Sequence, residues 1–141
     1  MTVRVQRTFD LVGDPERVWE FIADPAQRAR AISVVADYSV DGTSATWHIE
    51  LPIPVIRRTF AVETEDVERD PPTYVKFVGK SRMMRVVGEH EITTTDTGCR
   101  VDNRFTVDGR VPGIERYFEH NFDAELANLE QALKRDLEER P

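Results

Sequence analysis

The last segment of the chain constrains its fold most. Ile114, Phe118, Phe122, Leu126, Leu129, Leu133 and Leu137 recur at spacings of four, four, four, three, four and four. That rhythm lays one apolar stripe along an α-helix. Pro112 suits the opening turn. A helix over about 112–138 would be on the order of 40 Å long at roughly 1.5 Å per residue. Such a helix needs a broad apolar surface to cover.

The residues before it supply one. Residues 3–11, VRVQRTFDL, alternate with Val3, Val5, Phe9 and Leu11 on one face, as a strand does. The period then changes. In GDPERVWEFIADP, Asp14 can cap a helix, Pro15 suits its first position, and Val18, Trp19, Phe21 and Ile22 form an apolar side. Asp24-Pro25 interrupts that helix, and a second short one is predicted over 25–31.

From 33 to 109 the period is close to two. VVADYSV leads to a tight turn at Asp41-Gly42. TSATWHIEL puts Ala45, Trp47, Ile49 and Leu51 on one face, and Pro52 and Pro54 force a break. IRRTFAVETEDVER, TYVKFVGKS, MMRVVGEHEITTT and CRVDNRFTVDG follow, with turns at Asp70-Pro71-Pro72 and Asp96-Thr97-Gly98. Gly79, Gly88 and the Pro52–Pro54 pair are the predicted bending points. The order is strand, two short helices, about six strands, long helix. It predicts an α+β fold in which a curved antiparallel sheet, of about six to seven strands, wraps around the C-terminal helix. Residues 1–141 read as a single ligand-binding domain without repeats.

Composition narrows the function. A 40% hydrophobic share in 141 residues is enough for a core without disulfides or metal. A net charge of −7 repels phosphate backbones and argues against nucleic acid as partner. No stretch of ~18 apolar residues exists, so no integral membrane segment is expected. The opening MTVRVQRTFD has no apolar signal core, and a cytoplasmic location is expected. The one cysteine, Cys99, reads as a small buried hydrophobe. His48, His90 and His120 are far apart in sequence, so no metal site is expected. No phosphate loop, nucleophile elbow or dinucleotide fingerprint is present, and no cofactor is implied.

Two phrases carry a resemblance. DLVGDPERVWEFIADPAQ, ending at Gln27, looks like an opening of strand, turn, Pro-x-x-Val-Trp helix and Asp-Pro break. VERDPPTYVKFVGKS at 67–81 is similar to an acidic-Pro turn between central strands. On these phrases and the element order, the chain resembles the START/SRPBCC helix-grip superfamily over essentially its whole length. The polyketide cyclase/dehydrase-like and coenzyme-Q-binding-like branches are the nearest in pattern. The resemblance implies a cavity between sheet and helix that holds an apolar or aromatic molecule. Members of the superfamily carry lipids, quinones, steroids or polyketides. Some are cyclases, some carriers, and some act through protein contacts.

Polar residues sharing the parity of an apolar strand face are candidates for ligand contact. On the strand from 56 the inward set is Ile56, Arg58, Phe60 and Val62. Arg58 either meets an anionic ligand or an internal carboxylate, or lies in water at the sheet rim near Pro54. On the strand from 84 the set is Met84, Val86, Gly88, His90 and Ile92. His90 suits acid/base work or a ligand hydrogen bond. A backbone carbonyl, Glu50 or Asn103 would equally satisfy it. Asn103, between Val101 and Phe105, must be hydrogen-bonded if buried, to a ligand or to the protein. Tyr117 and Asn121, one helical turn apart, either reach the cavity mouth or form the helix's polar border. Phe60 and Phe105 belong to the expected lining. Trp19 and Trp47 read as core.

Three functions fit. The preferred one is binding or transfer of a hydrophobic small molecule, lipid-, quinone- or polyketide-like. The second is a cyclase/dehydratase-type enzyme with His90 as acid/base and Arg58 or Tyr117 polarising a ketone or enolate. The third is an accessory domain with a protein partner.

Overall fold

The computed structural model describes residues 2–53 and 59–139. Its elements are β1 (Thr2–Leu11), α1 (Pro15–Ile22), α2 (Pro25–Ala31), β2 (Val35–Asp41), β3 (Ser44–Ile49), β4 (Phe60–Asp70), β5 (Tyr74–Lys80), β6 (Met84–Thr95), β7 (Gly98–Gly109) and α3 (Ile114–Glu139). The strands form one antiparallel sheet in the order β1-β7-β6-β5-β4-β3-β2. The two edge strands, β1 and β2, are therefore the pair that α1 and α2 connect. The fold is α+β, as the period changes predicted.

Local chemistry accounts for the element ends. Asp14 and Asp24 cap their helices, accepting from the backbone N–H of Glu16 and Ala26 at 2.9 Å each, with Pro15 and Pro25 next in line. The β2–β3 hairpin closes with Asp41 opposite Ser44, and Gly42 sits at φ 61. A two-residue turn of that hand favours glycine there. α3 starts at Ile114, two residues later than Pro112 suggested. Gly113 stands at φ 97, a left-handed conformation that a right-handed helix cannot contain.

Burial follows the predicted parity. Ala45, Trp47 and Ile49 of β3, Val75 and Phe77 of β5, and Val101, Asn103, Phe105 and Val107 of β7 are all buried. They face α3, which buries Phe118, Phe122, Leu126, Leu129 and Leu133. α3 lies along β1 and β7, with α1 and α2 against its flank. Gly88 serves close packing here. It stands opposite Phe77 in the β5–β6 register, and a Cβ on it would lie 2.2 Å from Phe77 Cε1. Gly79 likewise faces the Val62 and Val86 side chains. Pro54 lies outside the described residues. Among the described residues no helix is long and apolar enough to cross a membrane.

Candidate functional site

The inner face of the sheet and the two helices above it enclose a small cavity. The sheet contributes Phe77, His90 and Phe105, and the α2 side contributes Arg28, Ala31 and Ile32. α3 contributes Phe122, Glu125, Leu126 and Leu129. The open space is about 10 Å³. That is on the order of what one water needs. The walls are apolar apart from three side chains: Arg28, His90 and Glu125.

His90 reaches the cavity from β6, and its side chain is fully buried. Its Nδ1 lies 2.7 Å from Asn103 Oδ1 on the neighbouring strand, where the two residues stand opposite each other. Asn103 in turn donates through Nδ2 to the Arg7 carbonyl of β1 at 3.0 Å. The ring stacks beside Phe77 at 6.3 Å and meets Phe105 edge-on at 5.5 Å. Its Nε2 is buried without a partner. Burial pushes the imidazole pKa down to about 3, the Arg28 charge adds to the fall, and the Asn103 bond opposes it. A ring so placed is neutral at physiological pH.

Arg28 occupies the inner face of α2 and is 3% exposed. Its guanidinium pairs with the fully buried Asp66 carboxylate and donates to the Ile22 carbonyl at 3.3 Å. Asp66 also takes Arg69, which donates to the Ala23 carbonyl at 2.9 Å. The Arg28 Cζ lies 4.7 Å from the centre of the Phe77 ring, a cation–π arrangement. Both terminal nitrogens of Arg28 are thus engaged, while its Nε is buried without a partner. Burial lowers the pKa of this guanidinium, and Asp66 counteracts that.

Glu125 projects from α3 and is 5% exposed. Its two oxygens accept from the backbone N–H and the hydroxyl of Ser33. This clasp ties the α2–β2 link to α3. Trp47 Nε1, on β3, is a third buried and unpartnered polar atom, and its ring meets Phe77 edge-on at 5.6 Å.

Of the residues singled out from sequence, His90 and Phe105 line the cavity and Asn103 supports His90 from behind. Phe60 is half-buried against the core, apart from this lining. Tyr117 is half-buried edge-on to Phe118, and the exposed Asn121 donates back to the Tyr117 carbonyl at 2.8 Å. Both belong to the border of the helix. Arg58 lies outside the described residues. Sequence reasoning missed Arg28, Asp66 and Glu125, although each interrupts an apolar pattern. Arg28 falls within the Pro25, Ala29, Ile32 face of α2. Asp66 shares parity with Phe60, Val62 and Thr64. Glu125 stands three residues after Phe122 and four before Leu129. Among the described residues no group of three or more His, Cys, Asp or Glu side chains could hold a metal.

Known structures share this architecture. A START superfamily protein from Mycobacterium smegmatis superposes with a TM-score of 0.76 at 9% identity, over 98% of this chain and 99% of that one. A conserved protein from Geobacillus kaustophilus gives 0.74 at 16%, over 99% and 96%. The di-domain ARO/CYC StfQ from the steffimycin biosynthetic pathway gives 0.73 at 13% identity, over 99% of this chain. This chain spans about half of StfQ, 52% of its length. Identities this low establish the fold alone. No curated protein sequence matches the chain. The sequence pattern of one family runs through residues 2–134, from β1 into the last turns of α3, and by that match the chain belongs to the polyketide cyclase/dehydrase and lipid transport family.

Proposed function

We propose that the chain binds one apolar small molecule between the sheet and α3, as a carrier or receptor module. One observation carries this reading. Arg28 Nε and His90 Nε2 are buried and unpartnered, and both side chains line the same otherwise apolar cavity. A buried polar atom without a partner costs about 1–3 kcal/mol. Two in one cavity are a disadvantage for a core that only fills space, and an advantage for a site that receives a guest. The lipid-transport side of the family points the same way.

The space of about 10 Å³ sets a condition on binding. A guest larger than water enters only if a wall yields. The sheet walls cannot yield easily, because β5, β6 and β7 each have a hydrogen-bonded strand on both sides. The helices can. On the outer side of Ala31 a groove of about 640 Å³ runs between α2 and α3, bordered by Gln27, Arg30, Ser33 and Asn128. Ala31 lines both the groove and the cavity. Parting α2 from α3 at the Ser33–Glu125 clasp would join them.

The enzymatic alternative asks His90 to take up a proton. Burial and the Arg28 charge hold its pKa down to about 3, so proton uptake near neutrality is disfavoured. Binding is therefore the better-supported role.

Titration with 1-methylnaphthalene tests the reading. The unchanged protein should bind it one to one, and Ala31→Leu, which fills the cavity from α2, should lose roughly tenfold or more in affinity. Absence of binding of both this compound and 1-naphthol by the unchanged protein would overturn the proposal. Equal binding by the variant would move the site elsewhere.

A further inference from the structure

We infer that the guest of this cavity carries a hydroxyl group as its one buried polar function, held between Arg28 and His90. This rests on the cavity being a binding site. It follows from which of the two unpartnered atoms donates and which accepts.

The chain of hydrogen bonds behind His90 decides its tautomer. The Arg7 carbonyl can only accept, so the Asn103 atom 3.0 Å from it is the amide NH₂. The other amide atom is then the oxygen, which also can only accept. It lies 2.7 Å from His90 Nδ1. Nδ1 therefore carries the hydrogen. Full burial, and the nearby Arg28 guanidinium, keep a second proton off the ring. Nε2 is left as a bare lone pair.

Arg28 presents the opposite character. Its terminal nitrogens serve Asp66 and Ile22, and its Nε–H is a donor with nothing to meet. The cavity thus offers one donor and one acceptor on side chains that share it. Glu125 accepts from Ser33 through both oxygens; each can take a second hydrogen bond, but neither is among the unpartnered atoms of the cavity.

A hydroxyl answers both atoms at once. Its oxygen accepts from Arg28 and its hydrogen is donated to His90. A ketone or ether leaves Nε2 unmatched. A carboxylate sets its own lone pairs against that of Nε2, and the Arg28 charge is already met by Asp66. A hydrocarbon leaves both atoms unmatched. Phenols, enols and alcohols on an apolar skeleton are the class selected. A site built to bond a hydroxyl discriminates strongly against the analogue lacking it.

An isosteric pair tests this: 1-naphthol against 1-methylnaphthalene, by calorimetric titration. The unchanged protein should bind 1-naphthol at least roughly tenfold more tightly, although the methyl compound is the more apolar. In His90→Leu the order should reverse. Equal or weaker binding of 1-naphthol by the unchanged protein, with 1-methylnaphthalene bound, overturns the hydroxyl assignment and leaves the cavity reading standing. Binding of neither overturns both. Long-range ¹H–¹⁵N correlation on the unchanged protein provides a readout independent of any variant. It should show His90 protonated at Nδ1 and bare at Nε2, and the Nε2 signal should move on addition of 1-naphthol. A ring protonated at Nε2 overturns the inference.

Discussion

Asp66→Ala should lower the thermal midpoint by roughly 10–17 °C. Arg28 is 3% exposed, and the Asp66 side chain is fully buried beside it. Removing one member of a buried pair leaves the other charge desolvated and unpaired, a cost of about 3–5 kcal/mol. Unfolding entropy of roughly 2.1 cal/mol/K per residue makes each kcal/mol worth about 3–4 °C in a chain of 141 residues. Arg69, the other partner of Asp66, has 32% of its side chain exposed and can turn to water, so its loss adds little. Arg28 has no such exit; the Phe77 ring under its guanidinium recovers only part of the loss. Differential scanning calorimetry measures the shift. The control is Arg28→Met with Asp66→Leu, which replaces the pair by apolar side chains and should recover at least half of it. A single variant losing less than about 3 °C would refute the reasoning, because Arg28 would then have reached water. So would a double variant no better than Asp66→Ala.

Three further outcomes follow from the same geometry. His90 has a folded pKa of about 3, below its ordinary 6.5, so the unfolded chain takes up the proton first as pH falls. Its contribution is full above pH 6.5 and is lost toward pH 3, at up to roughly 1.4 kcal/mol per pH unit. Urea titrations from pH 7 to 4 should show a shallower decline for His90→Gln, and parallel curves would refute this. Gly88→Ala places a Cβ 2.2 Å from Phe77 Cε1 and 2.9 Å from Phe105 Cε1, and should destabilise by about 1–3 kcal/mol in a chemical melt while abolishing 1-naphthol binding. Glu125→Ala releases the Ser33 clasp, and stopped-flow mixing should show 1-naphthol entering and leaving roughly tenfold faster at little changed affinity; unchanged rates would place the entry route elsewhere.

The fold was legible because it is written in local period. Alternation put Ala45, Trp47 and Ile49 inward, and the three- and four-residue spacing from Ile114 placed α3. His90 and Asn103 were legible by the same parity. The charged half of the site was not. Arg28, Asp66 and Glu125 each sit inside an apolar pattern, but a charge in such a place reads as solvated unless its partner is known. Those partners are remote: Asp66 is 38 residues from Arg28, and Ser33 is 92 from Glu125. No window of sequence contains both ends. Tyr117 and Asn121 illustrate the converse. Their row lies beside the apolar stripe, and a helix can leave such a row in solvent at little cost.

The remote pairs also divide the work of the site. His90, Asn103 and the Arg7 carbonyl sit on β6, β7 and β1, joined through paired strands, so the acceptor at Nε2 is fixed by the sheet. Arg28 and Ala31 sit on α2 and Glu125 on α3; the Ser33 clasp links the α2–β2 connection to α3, and the Arg28–Asp66 pair ties α2 to β4. The acceptor of the site then resides in the sheet, while its donor, Arg28 Nε, is carried by α2 and held there by the Asp66 carboxylate of β4. A change at His90 or Asn103 should alter which group is recognised, through the rate of release rather than the rate of entry. A change at Ala31 or Glu125, away from the Arg28 donor, should alter how large a guest is admitted, and how fast, without altering its chemistry. A cavity near the size of one water is no obstacle on this view, because the helices that set its volume can part while the sheet keeps the His90 acceptor in place.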